Sequence, residues 1–395
     1  MAHTPSRDER ANIPAPTHEA RAHSALVVAH IERMIAASGG WISFADYMGA
    51  ALYAPGLGYY VAGARKFGSC GDFVTAPELS ALFGQALAAQ IAELISELPN
   101  SAVIELGPGT GRLAADLLSA LRERAVVPER YCLLEVSPDL RARQREQLQR
   151  HVPELLPRVE WIDVLPQRWR GALVANEMLD AIAPHLIARR GGAWYERGVE
   201  LGAGGNLRFG DRALSKGALR DAAMMCFPDE GDYLSEINPA AQALVRSLAL
   251  RCDAGALLLL DYGFPASEYY HPQRTGGTLV AHYRHRVVDD PFFLPGLADL
   301  TAHVDFSAIA RAGVAGGMAI AGYATQARFL VNCGILDALA RRGDPRSVAY
   351  IREAAAVQKL LSPAEMGEFF KVLAMSKGVD IDLIGFRDGD QSHRL

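Results

Sequence analysis

Apolar and polar positions along this chain alternate between two periods. From Ser24, the residues Leu26, Val27, His30, Ile31 and Met34 recur three and four apart, which predicts a helix that Gly39-Gly40 ends. An aromatic, glycine-rich passage runs from Trp41 to Phe73. Thr75-Ala76-Pro77-Glu78 then reads as a capping box, with Thr75 at the N-cap and Glu78 reaching back, opening a helix through about Leu98. Next, short apolar runs (Ser101–Leu106, Tyr131–Val136, Val159–Asp163, Ala172–Ala175) are interleaved with helical patterns at Leu113–Leu121 and after Ser137. Ser137 takes the N-cap there and Pro138 the first helical position. Strands separated by helices predict a parallel sheet covered on both faces.

The alternation breaks near Ala188. Ile187–Arg212 reads as antiparallel hairpins with Gly191-Gly192 and Gly204-Gly205 turns. It resumes with a helix at Pro239–Arg251 and the apolar strand Ala256–Leu260. A turn-rich stretch follows Asp261 as far as Thr301, then a helix (Asp305–Ala312), a strand (Met318–Tyr323), a helical region (Ala327–Ala374) and a last strand at Asp380–Phe386. No internal repeat is found. The expected organisation is a disordered tail at 1–22, a helical N-terminal segment at 23–98, and an α/β core at 99–388. A β insertion at 188–235 and a helical insertion at 325–375 interrupt that core.

Composition narrows the classes. The chain has 395 residues with 40 basic and 45 acidic side chains, a net charge of −5, which argues against a nucleic-acid coat or a polybasic membrane binder. Its five cysteines are scattered with no C-x-x-C pair, which fits reduced thiols and excludes a zinc ribbon or disulfide scaffold. No apolar run approaches the roughly 18–20 residues that span a bilayer, and the first 22 residues lack the apolar core of a secretory signal. The expected compartment is the cytoplasm.

Glu105-Leu106-Gly107-Pro108-Gly109-Thr110-Gly111 falls where the first parallel strand ends and its helix begins. Glycines there allow a tight turn and close approach to a ligand. A nicotinamide site wants G-x-G-x-x-G, but Arg112 takes the sixth position counted from Gly107. The fit is to E-x-G-x-G-x-G, the first motif of the S-adenosylmethionine-dependent methyltransferase fold. Glu135 ends the second strand, where a carboxylate can accept both ribose hydroxyls; a dinucleotide enzyme would use it identically. Asp163 ends the third, placed to accept from an adenine amino group or to serve as an N-cap or turn residue.

Several longer stretches resemble one family. Phe67–Gly84, with Gly71-Asp72-Phe73 and Thr75-Ala76-Pro77-Glu78, is similar to the signature of the MidA-like methyltransferases. So are Glu105–Gly111, Asn176–Ala181, Asp261-Tyr262-Gly263-Phe264, His282–Arg286 with His303–Phe306, and Leu360–Gly367. The resemblance covers about residues 23–388. It implies a doubly wound, Rossmann-like methyltransferase sheet, S-adenosylmethionine as donor and protein arginine as acceptor, with a respiratory complex I subunit or its bacterial counterpart as partner. It also implies that Gly107, Gly109 and Gly111 line the cofactor, that Glu135 holds the ribose, and that Gly71, Asp72, Thr75, Pro77 and Glu78 close over it from the N-terminal side.

On the acceptor side, a guanidinium with a pKa above about 12 needs carboxylates to orient it and take its proton. Asn176-Glu177-Met178-Leu179-Asp180 follows the fourth strand at the edge where such sheets bind ligands. Glu177 and Asp180 would share a face if a helical turn starts there, with Asn176 a polar neighbour. Arginine specificity rests on the resemblance rather than on this spacing. His282–Arg286 with Asp289-Asp290 reads either as a frame for the acceptor peptide or as a self-satisfied loop network. His303 and Asp305 lack a third ligand, so no metal is expected, and Asp305 also fits an N-cap. No serine has a G-x-S-x-G setting, and Cys70 reads as small packing rather than a nucleophile.

Overall fold

The computed structural model describes residues 13–62 and 75–395. Seven strands carry the core sheet: β1 (Ala102–Leu106), β2 (Arg130–Leu134), β3 (Val159–Ile162), β4 (Trp169–Asn176), β5 (Cys252–Phe264), β6 (Ala319–Thr325) and β7 (Phe370–Lys377). Their order across the sheet is β3-β2-β1-β4-β5-β7-β6, and the two-residue strand Val304–Asp305 pairs with β5 as an eighth member. Neighbours from β3 to β5 run parallel, whereas β7 is antiparallel to both β5 and β6. β5 is a near-continuous apolar run, as expected of a strand buried on both faces.

Helices α1 (Ala81–Ser96), α2 (Arg112–Glu123) and α3 (Pro138–His151) belong to the same unit. The buried residues of α1 and α2, among them Phe83, Leu87, Leu117 and Leu121, join Val103, Leu133 and Val174 of the sheet in one core. Ser137 caps α3 by accepting from Leu140 N at 3.4 Å, and Pro138 opens it, as the sequence predicts.

Three expectations are corrected. The capping box does not form: Thr75 makes no side-chain cap bond, a four-residue helix Ala76–Leu79 stops, and Ser80 caps α1 by accepting from Leu82 N. The stretch read as helical to Ala374 ends at Phe369, because Phe370–Lys377 is drawn into the sheet between β5 and β6. The last strand is therefore β7, and Ile384–Phe386 is a 3-10 turn. The crossover from β3 to β4 carries no helix, and the sequence shows no helical pattern there. Asp163–Arg168 makes that connection as an irregular strap.

The chain divides into two units. The unit holding the core sheet takes Val74–Leu179, Ala241–Pro265 and Val304–Leu395. The other takes Met1–Phe73, Asp180–Ala240 and Ala266–His303. In this second unit the hairpins appear as drawn from sequence, His185–Arg190 turning at Gly191-Gly192 into Ala193–Leu201, which pairs on with Leu207–Ala213. The sheet is completed by Tyr233–Ile237 and Ile42–Ser43. Its excursion from the core begins at Asp180 and closes at Ala240, wider than 188–235, and Ala266–His303 joins the same unit. A helix at His18–Ala37, capped by Thr17, starts inside the stretch expected to be a disordered tail.

Candidate active site

β1 delivers its glycines into a loop whose backbone only glycine adopts easily. Gly107, Gly109 and Gly111 have φ of 64°, 52° and 81°. A Cβ on Gly111 would lie 2.9 Å from Gln144 Cα, so this residue also sets how closely α2 approaches α3. Gly111 is the N-cap of α2 and offers no side chain to cap it, which leaves first-turn N–H groups for a ligand.

Below the loop, Glu105 is buried and accepts from the Tyr131 hydroxyl at 2.6 Å. Burial raises its pKa from 4.5 to about 7, against the pull of the Tyr131 hydrogen bond. Glu135, at the end of β2, is buried as well. Its Oε1 accepts from Ser137 N at 2.8 Å and its Oε2 from Gln144 Nε2 at 3.3 Å. Burial lifts its pKa, while the Ser137 and Gln144 hydrogen bonds lower it. The same Gln144 amide donates to Gly109 O at 2.9 Å, and its Oε1 accepts from Trp161 at 2.8 Å. Gln144 therefore joins the glycine loop, the Glu135 carboxylate and β3. Sequence reading missed it because α3 is polar almost throughout, so a fully buried glutamine leaves no periodic trace.

The segment before α1 also reaches this loop. Glu78 accepts from Thr110 Oγ1 at 2.5 Å rather than from its own helix. Pro77 is buried, and Thr75 is half-buried at the start of the short helix. Gly71 and Asp72, expected to close over the cofactor, lie outside the described residues, as does Cys70. Asp163 has a side chain 78% exposed and pairs with Arg141 Nη2 at 2.5 Å. Arg141 is anchored in turn on Glu135 O and Ile162 O.

On the acceptor side, Glu177 stands just past β4 at φ 51°, a left-handed conformation that is costly for a residue with a Cβ. Its N–H donates to Leu260 O at 2.8 Å. Its Oε1 accepts from Asn176 Nδ2 and from Ala76 N, each at 3.2 Å. Asn176 Oδ1 is buried without a hydrogen-bond partner among the described residues. Asp261, which sequence reading quoted only within a motif, accepts from Met178 N at 3.2 Å and Leu179 N at 2.9 Å.

No helical turn forms at Glu177–Asp180, so the shared helical face expected for that pair is corrected. The left-handed residue and the Asp261 contacts turn the chain instead. Asp180 belongs to the other unit, where it is buried and its carbonyl accepts from Ala302 N at 3.0 Å. There, burial first and then the Asp180 and Asp299 carboxylates hold the Tyr53 phenol well above its ordinary range. His282–Arg286 forms a tight hairpin with Arg284 and His285 at its turn, φ 48° and 61°. Asp305 is an N-cap, accepting from Ala308 N at 3.0 Å. Among the described residues no group of His, Cys, Asp and Glu suits a metal, and no helix is long and apolar enough to cross a membrane.

The strand order with its single reversed strand, the three left-handed glycines and the buried acid ending β2 together define an S-adenosylmethionine-dependent methyltransferase. The fit is physical: the loop presents backbone without Cβ atoms, and the Glu135 oxygens keep further lone pairs for a ribose. A sequence model of the family described as "Putative S-adenosyl-L-methionine-dependent methyltransferase" matches residues 86–324, and the chain belongs to that family. It is 33% identical to the mitochondrial protein arginine methyltransferase NDUFAF7 of Danio rerio, over 88% of this chain and 86% of that one. The Mus musculus counterpart is 30% identical over 86% and 81%. A solved structure of a COG1565 superfamily member from Burkholderia thailandensis, bound to S-adenosyl-homocysteine, is 48% identical. It superposes with a TM-score of 0.94 over 97% of this chain and all of its own. The expected fold, donor and enzyme class hold.

Proposed function

We propose that this methyltransferase acts on arginine in a protein, and that the protein is a respiratory complex I subunit or its bacterial counterpart whose assembly the modification supports. The arginine part rests first on the relatives, whose names call them protein arginine methyltransferases. The Glu177 carboxylate, carried on a left-handed backbone just past β4, adds to it. In this reading Glu177 orients the guanidinium and accepts its proton as the nitrogen lone pair attacks the donor methyl carbon. The carbon–sulfur bond breaks, and its electron pair stays on sulfur. Asn176 supports Glu177 through its amide.

Incubating the protein with labelled donor and complex I subunits from the same cell is expected to label an arginine. Donor binding with no arginine labelled on any native protein would sink the reading. Glu177→Gln should cut transfer by about a hundredfold or more while leaving S-adenosyl-homocysteine affinity within about twofold. A purely structural assembly factor would keep its assembly role in that variant. The proposed compartment is the cytoplasm, with Cys132, Cys252 and Cys333 buried as free thiols. Cell fractionation tests this placement, since the curated relatives above are named as mitochondrial.

A further inference from the structure

Asp261 ends the buried core of β5, one residue past the Leu260–Asn176 pair in the sheet register. It is 1% exposed, yet it is not a strand residue paired away from chemistry. Its Oδ2 takes the amides of Met178 and Leu179, at 3.2 and 2.9 Å, and its Oδ1 takes the amide of Tyr262 at 2.9 Å. With Glu177 N pinned to Leu260 O, three consecutive amides after β4 are held by two adjacent residues of β5. A turn fixed at both ends this way holds Glu177 in the left-handed region that its Cβ disfavours.

We propose that Asp261 is a positioning residue for methyl transfer, acting through Glu177 by clamping the turn that carries it. A carboxylate suits this task because it accepts only, so neither oxygen can present a donor to the turn amides. An asparagine in its place turns one of its two ends into a donor facing an amide. The turn then relaxes, and the Glu177 carboxylate leaves the position set by Ala76 N and Asn176. A displacement of about 1 Å in a positioned group is enough to cost rate steeply. The inference rests on the reading of Glu177 as the acceptor carboxylate.

The test compares Asp261→Asn, Glu177→Gln and the double variant in full-length protein. Tritiated S-adenosylmethionine is the donor, and an extract of cells lacking this enzyme is the acceptor. Asp261→Asn is expected to lower the initial rate at least tenfold with S-adenosyl-homocysteine affinity within twofold. In the Glu177→Gln background it should cost less than twofold more, since both changes disable one group. Multiplying losses would overturn the proposal, as would an unchanged rate in Asp261→Asn alone. A Glu177→Gln variant of full activity would instead bring down the acceptor reading itself, and this one with it. Amide hydrogen exchange gives a readout independent of turnover. Met178 and Leu179 should exchange at least tenfold faster in Asp261→Asn while β1 and β4 stay protected, and unchanged protection at those two amides would refute the clamp.

Discussion

Glu105 shows how a single side chain under the cofactor loop ties stability to pH. Burial favours its neutral form and pushes its pKa up to about 7. Between the ordinary carboxylate range and pH 7 the folded protein therefore keeps a proton that the unfolded chain releases. Its contribution is complete below about pH 4.5 and is lost as pH rises through 7, about 3 kcal/mol in all. Glu105→Gln keeps an acceptor for Tyr131 and carries no charge. Urea unfolding at pH 5 and pH 8 should then show a smaller difference for the variant than for the parent, and equal differences would refute the assignment. Gly111 supplies a second prediction at this scale. An alanine there must adopt φ 81° and push against Gln144 Cα, so Gly111→Ala should cost about 1–3 kcal/mol. It should also weaken S-adenosyl-homocysteine binding in calorimetry, and unchanged affinity would contradict the role given to that loop.

Among the elements, legibility followed the source of each element's stability. β1, β2, β4 and β5 are buried runs ended by glycine or acid, and their apolar patterns exposed them directly. β7 reads Phe370-Lys371-Val372-Leu373-Ala374-Met375-Ser376-Lys377, rich in helix formers, and pairing on both sides by β5 and β6 overrides that local preference. The Ser80 break was hidden because Thr75 and Glu78 imitate a capping box, while Glu78 is satisfied by Thr110 of a loop distant in sequence. In the site, the glycines, Glu135 and Glu177 were named as candidates from the sequence because they stand at strand ends. Gln144 and Asp261 were not, since each matters through partners that only folding brings near. The cap on α3 gives this scale its prediction. Ser137→Ala removes the acceptor for Leu140 N and should cost about 1 kcal/mol in urea unfolding. No measurable change would mean that Pro138 and Asp139 suffice to start the helix.

At the scale of the molecule, the described residues gather around two large cores. One gathers Phe83, Leu117, Val174 and Leu258 around the main sheet, the other Ile31, Phe44, Tyr47 and Val199 around the hairpins. The residues assigned to the cofactor from the sequence, where the structure describes them, all belong to the unit that holds the first core. S-adenosyl-homocysteine at a hundred times its Kd should stabilise the folded state by about 2.7 kcal/mol. Hydrogen exchange should place that protection at Glu105–Gly111 and around Glu135 and Gln144, with Ala193–Leu201 little changed. Protection centred on Ala193–Leu201 would relocate the donor site.

The strap from β3 to β4 turns chain length into a ruler. It must pass three strand spacings, about 14 Å, and return about 20 Å along the strands, a diagonal of about 24 Å. Seven residue steps from Ile162 to Trp169 reach about 25 Å at full stretch. Almost no slack remains, so deletions and insertions here have unequal consequences. Losing one residue between Asp163 and Arg168 must drag the edge strand β3 out of register, whereas adding a few glycines only lets the strap bow outward.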